Sequence, residues 1–233
     1  MAKQEIKMKK KTIDYITNLI WYLVIFSIVG LIVETTFGFA TTGVLESRKG
    51  FVYGPFCPIY GLGAVLIIVG LDRFKKSKIK IFIYGMIAGA VVEYFVSYIL
   101  EAIYGLRFWD YSYLPYNLNG RICLRYSSYW GFLSLAMIYL VKPRIDKLIE
   151  KIPKRQTIAK ILFLILLIDG ILTFIAITIY QERARRIYYN EEPLKEPIIT
   201  QQIFSNEFMK HTFPNIRLKT EDGNIIFVKE LMK

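Results

Sequence analysis

The sequence contains few residues of the kinds that hold metals or form disulfide frameworks. Its 233 residues include one histidine and two cysteines. So few exclude a disulfide-dense secreted scaffold and the usual four-ligand structural zinc site. Charged residues make up only 21% of the chain and hydrophobic residues 54%. This balance also excludes a disordered chain, because disordered chains are poor in apolar residues.

Several common functional motifs are missing too. The sequence has no Gly-x4-Gly-Lys-Ser/Thr phosphate loop, no His-Glu-x2-His metalloprotease pair and no Gly-x-Ser-x-Gly nucleophile elbow. We find no internal repeat, so an inverted-repeat transporter architecture is unsupported. The net charge of +12 occurs in short bursts between apolar runs, which is typical of membrane proteins rather than of nucleic-acid binders. We therefore predict no metal, no cofactor and no nucleic-acid partner.

What the chain does have is a series of long apolar runs. Residues 15–33 and 50–71 contain no charged residue, and three further runs are interrupted by single acids at most. A helix that crosses a bilayer needs about 20 mainly apolar residues. The sequence thus predicts an all-α polytopic membrane protein, with five transmembrane helices in contact with the lipid bilayer. The predicted spans are 14–38, 57–72, 79–103, 125–142 and 158–181.

Basic residues predict the orientation, because cytoplasmic segments are enriched in Lys and Arg. The N-terminus has five, residues 72–80 have five and residues 142–160 have seven, whereas the two loops on the other side have two and three. We predict a plasma-membrane protein with a cytoplasmic N-terminus and with loops 39–56 and 104–124 outside. Five spans place the C-terminal tail outside as well. Three arginines just beyond the fifth span disagree with this placement: Arg183, Arg185 and Arg186.

Residues 182–233 differ in composition and form a predicted extracytoplasmic tail. They include nine basic and eight acidic residues and no long apolar run. Residues 215–231 are typical of a β-hairpin, because two short apolar segments flank the Asp222-Gly223 turn signal. The tail is either a small cap on the outer surface or an element that docks a partner. His211 is predicted to be a surface residue, since no second histidine exists to complete a zinc site.

Small and acidic residues share one face of the third span. They recur every four positions, which aligns them along a helix: Gly85, Gly89, Glu93, Ser97 and Glu101. The two glycines predict a close helix–helix contact. At 1.5 Å per residue, Glu93 lies about 20 Å from Lys80, which places it in the outer half of the membrane.

Carboxylates in hydrocarbon are costly and usually face a cavity or a partner. We predict that Glu34 and Glu93 contact a substrate in an outward-facing polar pocket. Glu101 is interpreted as an interfacial residue exposed to water. Asp169 is interpreted as a hydrogen-bond partner of a neighbouring helix, with Thr173 on its own face.

Residues 50–61 form the end of the first outer loop and the start of the second span, and they include two prolines and three glycines. No regular helix runs through the first half of such a segment, and irregular backbone at membrane depth must be buried in protein or line a cavity. We predict an ordered structural motif made by Tyr53, Gly54, Pro55, Cys57, Pro58, Tyr60 and Gly61. The sequence leaves open whether Cys57 and Cys123 form a disulfide or remain free thiols.

Residues 107–124 form the second outer segment. It has five aromatic residues: Phe108, Trp109, Tyr111, Tyr113 and Tyr116. Such residues can anchor a protein at the membrane interface or form the wall of a pocket. An arginine beside aromatic rings suits an anionic head group or a carboxylate. In the pocket interpretation, the predicted substrate contacts are Arg107, Trp109, Asp110, Asn117, Asn119 and Arg121.

These two segments resemble those of a bacterial ABC-transporter permease family, the CmpB type. The matching motifs are GFVYGPFCPIYG at 50–61 and RFWDYSYLPYNLNGRICL at 107–124, and the resemblance covers about residues 15–145. The family more often has tryptophan at the position of Phe108 and phenylalanine at that of Tyr116. The resemblance implies transport, but it brings no established substrate or catalytic residues.

Two functional hypotheses follow. The first is a membrane permease or transport-accessory subunit, which, if ABC-type, needs a separate ATPase docked on the cytoplasmic segments 72–80 and 142–157. The second is a membrane-embedded enzyme or binder that acts on a lipid-linked or cell-envelope molecule at the outer leaflet. There Glu34 or Glu93 would act as a base, and an outer-loop arginine would hold an anion. The sequence identifies no catalytic residue, and it leaves open whether the chain forms an oligomer.

Overall fold

The computed structural model describes residues 2–232, apart from the side chains of Ala2, Lys3, Ile6 and Tyr104. Lys3, one of the lysines used to predict the orientation, thus lies outside the described side chains. The main helices, in chain order, are α1 Ala2–Thr42, α2 Pro58–Leu71, α3 Lys78–Tyr104, α4 Leu124–Ala136, α5 Lys142–Lys151 and α6 Arg155–Tyr188. A π-helical turn, Met137–Val141, joins α4 to α5 without a break.

Within the described residues, three helical stretches are long and apolar enough to cross a membrane: Lys7–Thr42, Lys78–Ile103 and Arg155–Tyr188. They contain the first, third and fifth predicted spans and indicate a multi-pass membrane protein. The other two predicted spans are also helical. However, α2 has 14 residues and α4 has 13, fewer than the roughly 20 of a regular spanning helix. Their assignment as spans stays a prediction.

Local chemistry sets the helix boundaries. The side chain of Ser77 accepts a hydrogen bond from the Lys80 N–H at the start of α3, and Gly105 ends this helix with a φ of 61°, which glycine adopts without strain. Pro58 occupies the first turn of α2, where its missing N–H is not needed. Residues 50–57 before it are irregular, as predicted, and this is why α2 is short.

The segment after α1, the segment between α3 and α4, and the chain beyond α6 meet at one end of the molecule, which we call the hairpin end. Strand β1, Leu106–Arg107, pairs there with strand β4, Arg217–Lys219. The Lys229 ammonium lies 3.2 Å from the Glu46 carboxylate. The last part of the chain therefore contacts both earlier segments.

The opposite end, which we call the α5 end, contains α5 and residues 72–77. The Tyr22 hydroxyl of α1 donates to the Asp146 carboxylate of α5. The Arg155 guanidinium at the start of α6 lies 3.0 Å from the Asp14 carboxylate of α1. The helices consequently run back and forth between two ends, with α4 and α5 forming one passage.

The predicted hairpin is present. Strand β5, Ile225–Phe227, pairs with β4 across a turn in which Gly223 has a φ of 82°. Strand β1 was not predicted from the sequence. It extends the hairpin to a three-stranded antiparallel sheet in the order β1–β4–β5. A second, two-stranded sheet lies inside the outer loop, formed by β2 Asn117–Leu118 and β3 Ile122–Cys123.

One face of the three-stranded sheet belongs to a hydrophobic core. Leu106 and Leu218 are buried there with Val52 of the irregular segment and Tyr180 of α6. Two short helices of the tail contribute further side chains: α8 Asn206–Thr212 and α9 Val228–Leu231. A third short helix, α7 Ile198–Ile203, comes just before the buried Phe204. Since α6 also continues to Tyr188, past the predicted start of the tail, the tail packs as part of the hairpin end.

Candidate functional site

Glu93 lies at the centre of a hydrogen-bonded group of side chains. It is 6% exposed, and its carboxylate accepts hydrogen bonds from the Tyr111 hydroxyl at 2.8 Å and from the Trp130 indole N–H at 3.2 Å. The ring of Tyr60 stacks on Trp130 with centroids 5.7 Å apart. The Tyr60 hydroxyl donates to the carboxylate of Glu34. These contacts join both predicted acids into one group, which we call the carboxylate site. Its members are Glu34, Tyr60, Glu93, Tyr111 and Trp130.

Glycines allow the helices of this site to approach closely. A Cβ at Gly89 would overlap the Trp130 side chain, and one at Gly85 would overlap Ser134. This is the close contact that the glycine spacing predicted. Gly30 allows α1 and α2 to approach closely in the same way, because a Cβ there would overlap the ring of Tyr60 on α2.

Neutral groups hold the Glu93 carboxylate. Its donors within the described chain are a phenol and an indole, and the ion pairs found among residues 2–232 include neither Glu93 nor Glu34. A buried carboxylate without a cation is costly to maintain. The arrangement is suited to exchanging a proton or to accepting hydrogen bonds from a polar ligand.

Tyr111 covers the carboxylate site from the hairpin end. Its ring stacks on Tyr126 with centroids 4.6 Å apart, and its backbone N–H donates to the Gly120 carbonyl at 2.7 Å. Burial raises the pKa of the Tyr111 phenol well above its ordinary value, and the Glu93 carboxylate adds to the rise. Tyr111 therefore remains a hydrogen-bond donor at neutral pH. Tyr111 was not predicted as a site residue, because the sequence marks it only as one of five aromatic residues in the loop.

Glu101 is the centre of a second group of polar residues. It accepts a hydrogen bond from Arg107, and its carboxylate lies 2.9 Å from the Arg121 guanidinium and 2.8 Å from the Lys219 ammonium. The prediction that Glu101 is a water-exposed interfacial residue is wrong, because its side chain is 9% exposed. Cations from the outer loop and the tail cover it.

Asp110 links the same group to the hairpin. Its carboxylate lies 3.8 Å from the Arg107 guanidinium and 3.5 Å from that of Arg217. We call the combined group the charged cluster. Its members are Glu101, Arg107, Asp110, Arg121, Arg217 and Lys219.

Arg121 attaches the outer loop to the polar face of α3. Its guanidinium donates to the Ser97 hydroxyl at 3.2 Å and lies over the rings of Tyr94 and Tyr98, 5.7 and 5.5 Å from their centroids. The Arg121 carbonyl accepts from the Trp109 indole N–H at 2.9 Å. Ser97 lies on α3 between Glu93 and Glu101, so Arg121 lies along the helix face that carries both acids.

The two predicted asparagines are exposed and make loop contacts. The Asn117 side chain donates to the Leu114 carbonyl at 2.7 Å and accepts from the Gly120 N–H at 3.1 Å. The Asn119 side chain donates to the Tyr94 hydroxyl at 2.9 Å. The structure thus brings Arg107, Asp110, Arg121 and Trp109 together, whereas Asn117 and Asn119 stabilise the fold of the loop.

Asp169 holds the irregular segment in place. Its carboxylate accepts from the Tyr53 N–H at 3.1 Å, and the Thr173 hydroxyl accepts from the Val52 N–H at 2.8 Å. Buried backbone donors need partners, and α6 supplies them here. The expected partner of Asp169 was a neighbouring helix, but its described partner is this segment. Helical hydrogen bonds are missing at residues 50–57, which leaves these N–H groups available.

The remaining residues of the 50–61 motif pack closely against their neighbours. A Cβ at Gly61 would overlap Ser27 of α1, and one at Gly54 would overlap Phe56. Pro55 and Tyr53 are exposed. Cys57 and Cys123 are both buried, and both are free thiols.

Two grooves on the surface lie away from the predicted acids. The first is lined by Leu114, Pro115, Tyr116, Leu124, Arg125 and Ser128, and the second by Phe51, Leu166, Leu167, Gly170, Ile171 and Phe174. At the carboxylate site, Tyr111 and Trp130 contact Glu93, and Tyr60 contacts Glu34. Within residues 2–232, no group of three His, Cys, Asp or Glu side chains is placed to hold a metal ion.

Long apolar helices with buried carboxylates and an ordered polar cover define a polytopic helical membrane protein. A protein-family model described as "Putative ABC-transporter type IV", the CmpB type, matches residues 21–174. This match covers more than half of the chain, and the chain therefore belongs to this family, as its sequence motifs predicted. It includes the 50–61 and 107–124 segments but not the hairpin. Comparisons with curated proteins and with solved structures gave no match.

Proposed function

We propose that the chain is the membrane-spanning subunit of a transport system, with five spans, a cytoplasmic N-terminus and an outward-facing hairpin end. The family supports a role in transport. The basic segments 72–80 and 142–160 belong to the α5 end, which supports placing that end in the cytoplasm. The tail contacts residues 105–110 between α3 and α4. This supports placing the tail on the same side as that segment, and therefore an odd number of crossings.

The three arginines that disagreed with this orientation have acidic partners. Arg183 lies 2.7 Å from the Glu196 carboxylate. Arg185 and Arg186 lie 3.0 and 2.7 Å from that of Glu182. The positive-inside rule counts Lys and Arg rather than net charge, so these pairs do not cancel the three arginines. We base the orientation on the larger number of basic residues in the segments 72–80 and 142–160.

The proposed recognition site comprises the carboxylate site and the charged cluster. The single observation that carries it is the connection from Tyr111 through Glu93 to Trp130, which joins the outer loop to two membrane helices. A purely structural bundle gains nothing from a carboxylate at this depth. A site that takes up a polar substrate or a proton requires such a group.

Helix α1 connects this site with the α5 end. Glu34 and Tyr22 are twelve residues apart, which corresponds to about 18 Å along a helix. Tyr22 bonds to Asp146 of α5, and the exposed Arg144 and Lys147 lie on the same short helix. We propose that a separate ATPase docks on residues 72–80 and 142–157. Helix α1 would then transmit the movement of the ATPase to the carboxylate site.

The experiment is to extract the full chain in native lipid particles and identify the copurifying proteins by mass spectrometry. We expect a stoichiometric ATPase. The Arg144→Glu, Lys147→Glu double variant should lose it, whereas Lys195→Glu, a charge reversal at the hairpin end, should retain it. With the ATPase bound, the Glu34→Gln, Glu93→Gln variant should hydrolyse ATP more slowly, and unchanged hydrolysis would contradict the proposed site.

A wild-type sample without an ATPase would overturn the transport proposal. If that sample instead contains an enriched lipid or lipid-linked molecule that Arg121→Ala removes, the chain is an enzyme or binder of the outer leaflet. The particle mass from the same preparation also gives the oligomeric state.

A further inference from the structure

Three cations occupy one face of the three-stranded sheet. Arg107 and Arg217 are Cα partners in the β1–β4 ladder, so their side chains point to the same face. Lys219 is two residues beyond Arg217 and shares that face, because side chains alternate along a strand. The intervening Leu218 points to the opposite, buried face. Sheet pairing thus concentrates positive charge above Glu101 and Asp110.

The charged cluster has more positive than negative groups. It comprises four cations, of which Arg121 is the fourth, but only two carboxylates. The ion pairs that these cations make within residues 2–232 all involve Glu101 or Asp110. The surplus is two positive charges in a region where the side chains of Arg107 and Arg121 are about nine-tenths buried.

Two of these arginines also have unused donors. The Nε atoms of Arg121 and Arg217 are buried and have no hydrogen-bond partner in the described structure. Arg121 as a whole is 8% exposed. Buried donors are normally paired, so two unpaired donors beside surplus positive charge indicate that acceptor atoms are missing here. The Lys219 side chain is 42% exposed, so the cluster is open to solvent at this residue.

We propose that the charged cluster binds an anionic oxygen group, a carboxylate or a phosphate, between the outer loop and the hairpin. Guanidinium groups bind both anions with paired hydrogen bonds. This inference rests on the proposed function, because it assigns the chemical class of the group recognised at the outward end. The hairpin supplies Arg217 and Lys219, so the tail is part of the binding site.

A purely structural role makes a different prediction. If the cations only fasten the tail, removing them lowers stability by the same amount with and without an anion. If they bind an anion, the anion stabilises the wild-type chain in a saturable manner, and that stabilisation depends on the cations. The dependence on anion concentration separates the two roles.

The test uses the full chain in phosphatidylcholine nanodiscs. Its thermal unfolding midpoint is measured against inorganic phosphate and acetate, with chloride keeping the ionic strength constant. A second sample contains phosphatidylglycerol without added phosphate. For the wild-type chain, we expect the unfolding midpoint to rise with anion concentration and then to level off. A response to the soluble anions identifies a soluble ligand, and a response to phosphatidylglycerol alone identifies a lipid head group.

Variants decide whether the cluster causes the response. The Arg217→Gln, Lys219→Gln variant should weaken the apparent affinity at least tenfold, and Arg217→Lys, which keeps the charge and the fold, should weaken it a few-fold. Lys210→Gln removes an exposed charge on α8 and should have no effect. No anion response, or an equal response in Arg217→Lys and wild type, would overturn the inference. An anion response without a copurifying ATPase would overturn the transport proposal alone.

Discussion

Arg107 and Arg217 stand directly opposite each other in the β1–β4 ladder. Like charges in this position destabilise a pair of strands. The Asp110 carboxylate compensates, since it lies 3.8 Å from one guanidinium and 3.5 Å from the other. Glu101 accepts a further hydrogen bond from Arg107. The pairing of β1 with β4 joins the tail to the outer loop. It therefore depends on two carboxylates, Glu101 and Asp110, that belong to neither of these strands.

Glu101→Gln should be strongly destabilising. It leaves Arg107, Arg121 and Lys219 without their shared counter-charge, and removing one partner of a buried ion pair costs about 3–5 kcal/mol. We expect a loss of about 3 kcal/mol in the free energy of unfolding, measured by denaturant titration in mixed micelles. Glu46→Gln is the matched control. Its side chain is 26% exposed, so its pairs should contribute at most about 1 kcal/mol, and equal losses would contradict our account.

Tyr111→Phe should lower stability at neutral pH by about 1–3 kcal/mol, because it removes a donor from the buried Glu93 carboxylate. Tyr113→Phe, at a residue that is 75% exposed, is the control and should change stability by less than about 0.5 kcal/mol. Both are measured by the same titration. A Tyr111→Phe variant as stable as Tyr113→Phe would show that the hydrogen bond contributes nothing.

The effect of Tyr111 should also depend on pH. Its pKa is raised in the folded chain above the ordinary value of 10.0. The contribution of Tyr111 to stability is therefore complete below pH 10.0 and decreases at higher pH, because there the unfolded chain releases the proton first. The difference in stability between the wild type and Tyr111→Phe should accordingly narrow as the pH rises above 10.0, and a difference that widens would contradict the assigned burial.

Gly89→Ala should disturb the contact between α3 and α4, since the added Cβ would overlap the Trp130 side chain. Overpacking of this kind typically costs about 1–3 kcal/mol. Gly70→Ala, in α2, is the matched control, because a Cβ there meets nothing within 4 Å, and it should be neutral or stabilising by up to about 1 kcal/mol. The unfolding temperatures of the two variants in one detergent provide the comparison.

Thiol labelling in intact cells should test the two ends of the molecule. Cys57 and Cys123 are 8% and 1% exposed and should give little background. Tyr113→Cys and Lys195→Cys should react with a membrane-impermeant maleimide, whereas Lys76→Cys should react only after permeabilisation. If only one of Tyr113→Cys and Lys195→Cys reacts in intact cells, that result would contradict the pairing of the tail with the outer loop. The reverse pattern at all three sites would contradict the proposed orientation.

Local sequence patterns were enough to predict the long helices, the hairpin and the irregular backbone of residues 50–57. These features depend on local physics: apolar length, the Asp222-Gly223 turn, and prolines and glycines that prevent a regular helix. The spacing of Gly85 and Gly89 also predicted a close helix contact, because helical periodicity alone places both on one face. Glu34 and Glu93 were predicted as one site from their cost in a membrane.

The residues that surround these acids follow from tertiary packing and could not be predicted from the sequence. Trp130 is 37 residues from Glu93, and no local pattern marks an indole as the donor to a distant carboxylate. Strand β1 has two residues and no strand signal of its own, so its pairing with β4 depends on how the helices bring the chain back to one end. This pairing buries Glu101 and places Arg217 and Lys219 of the tail in the charged cluster. Contacts between residues so far apart in sequence are decided by packing rather than by local preference.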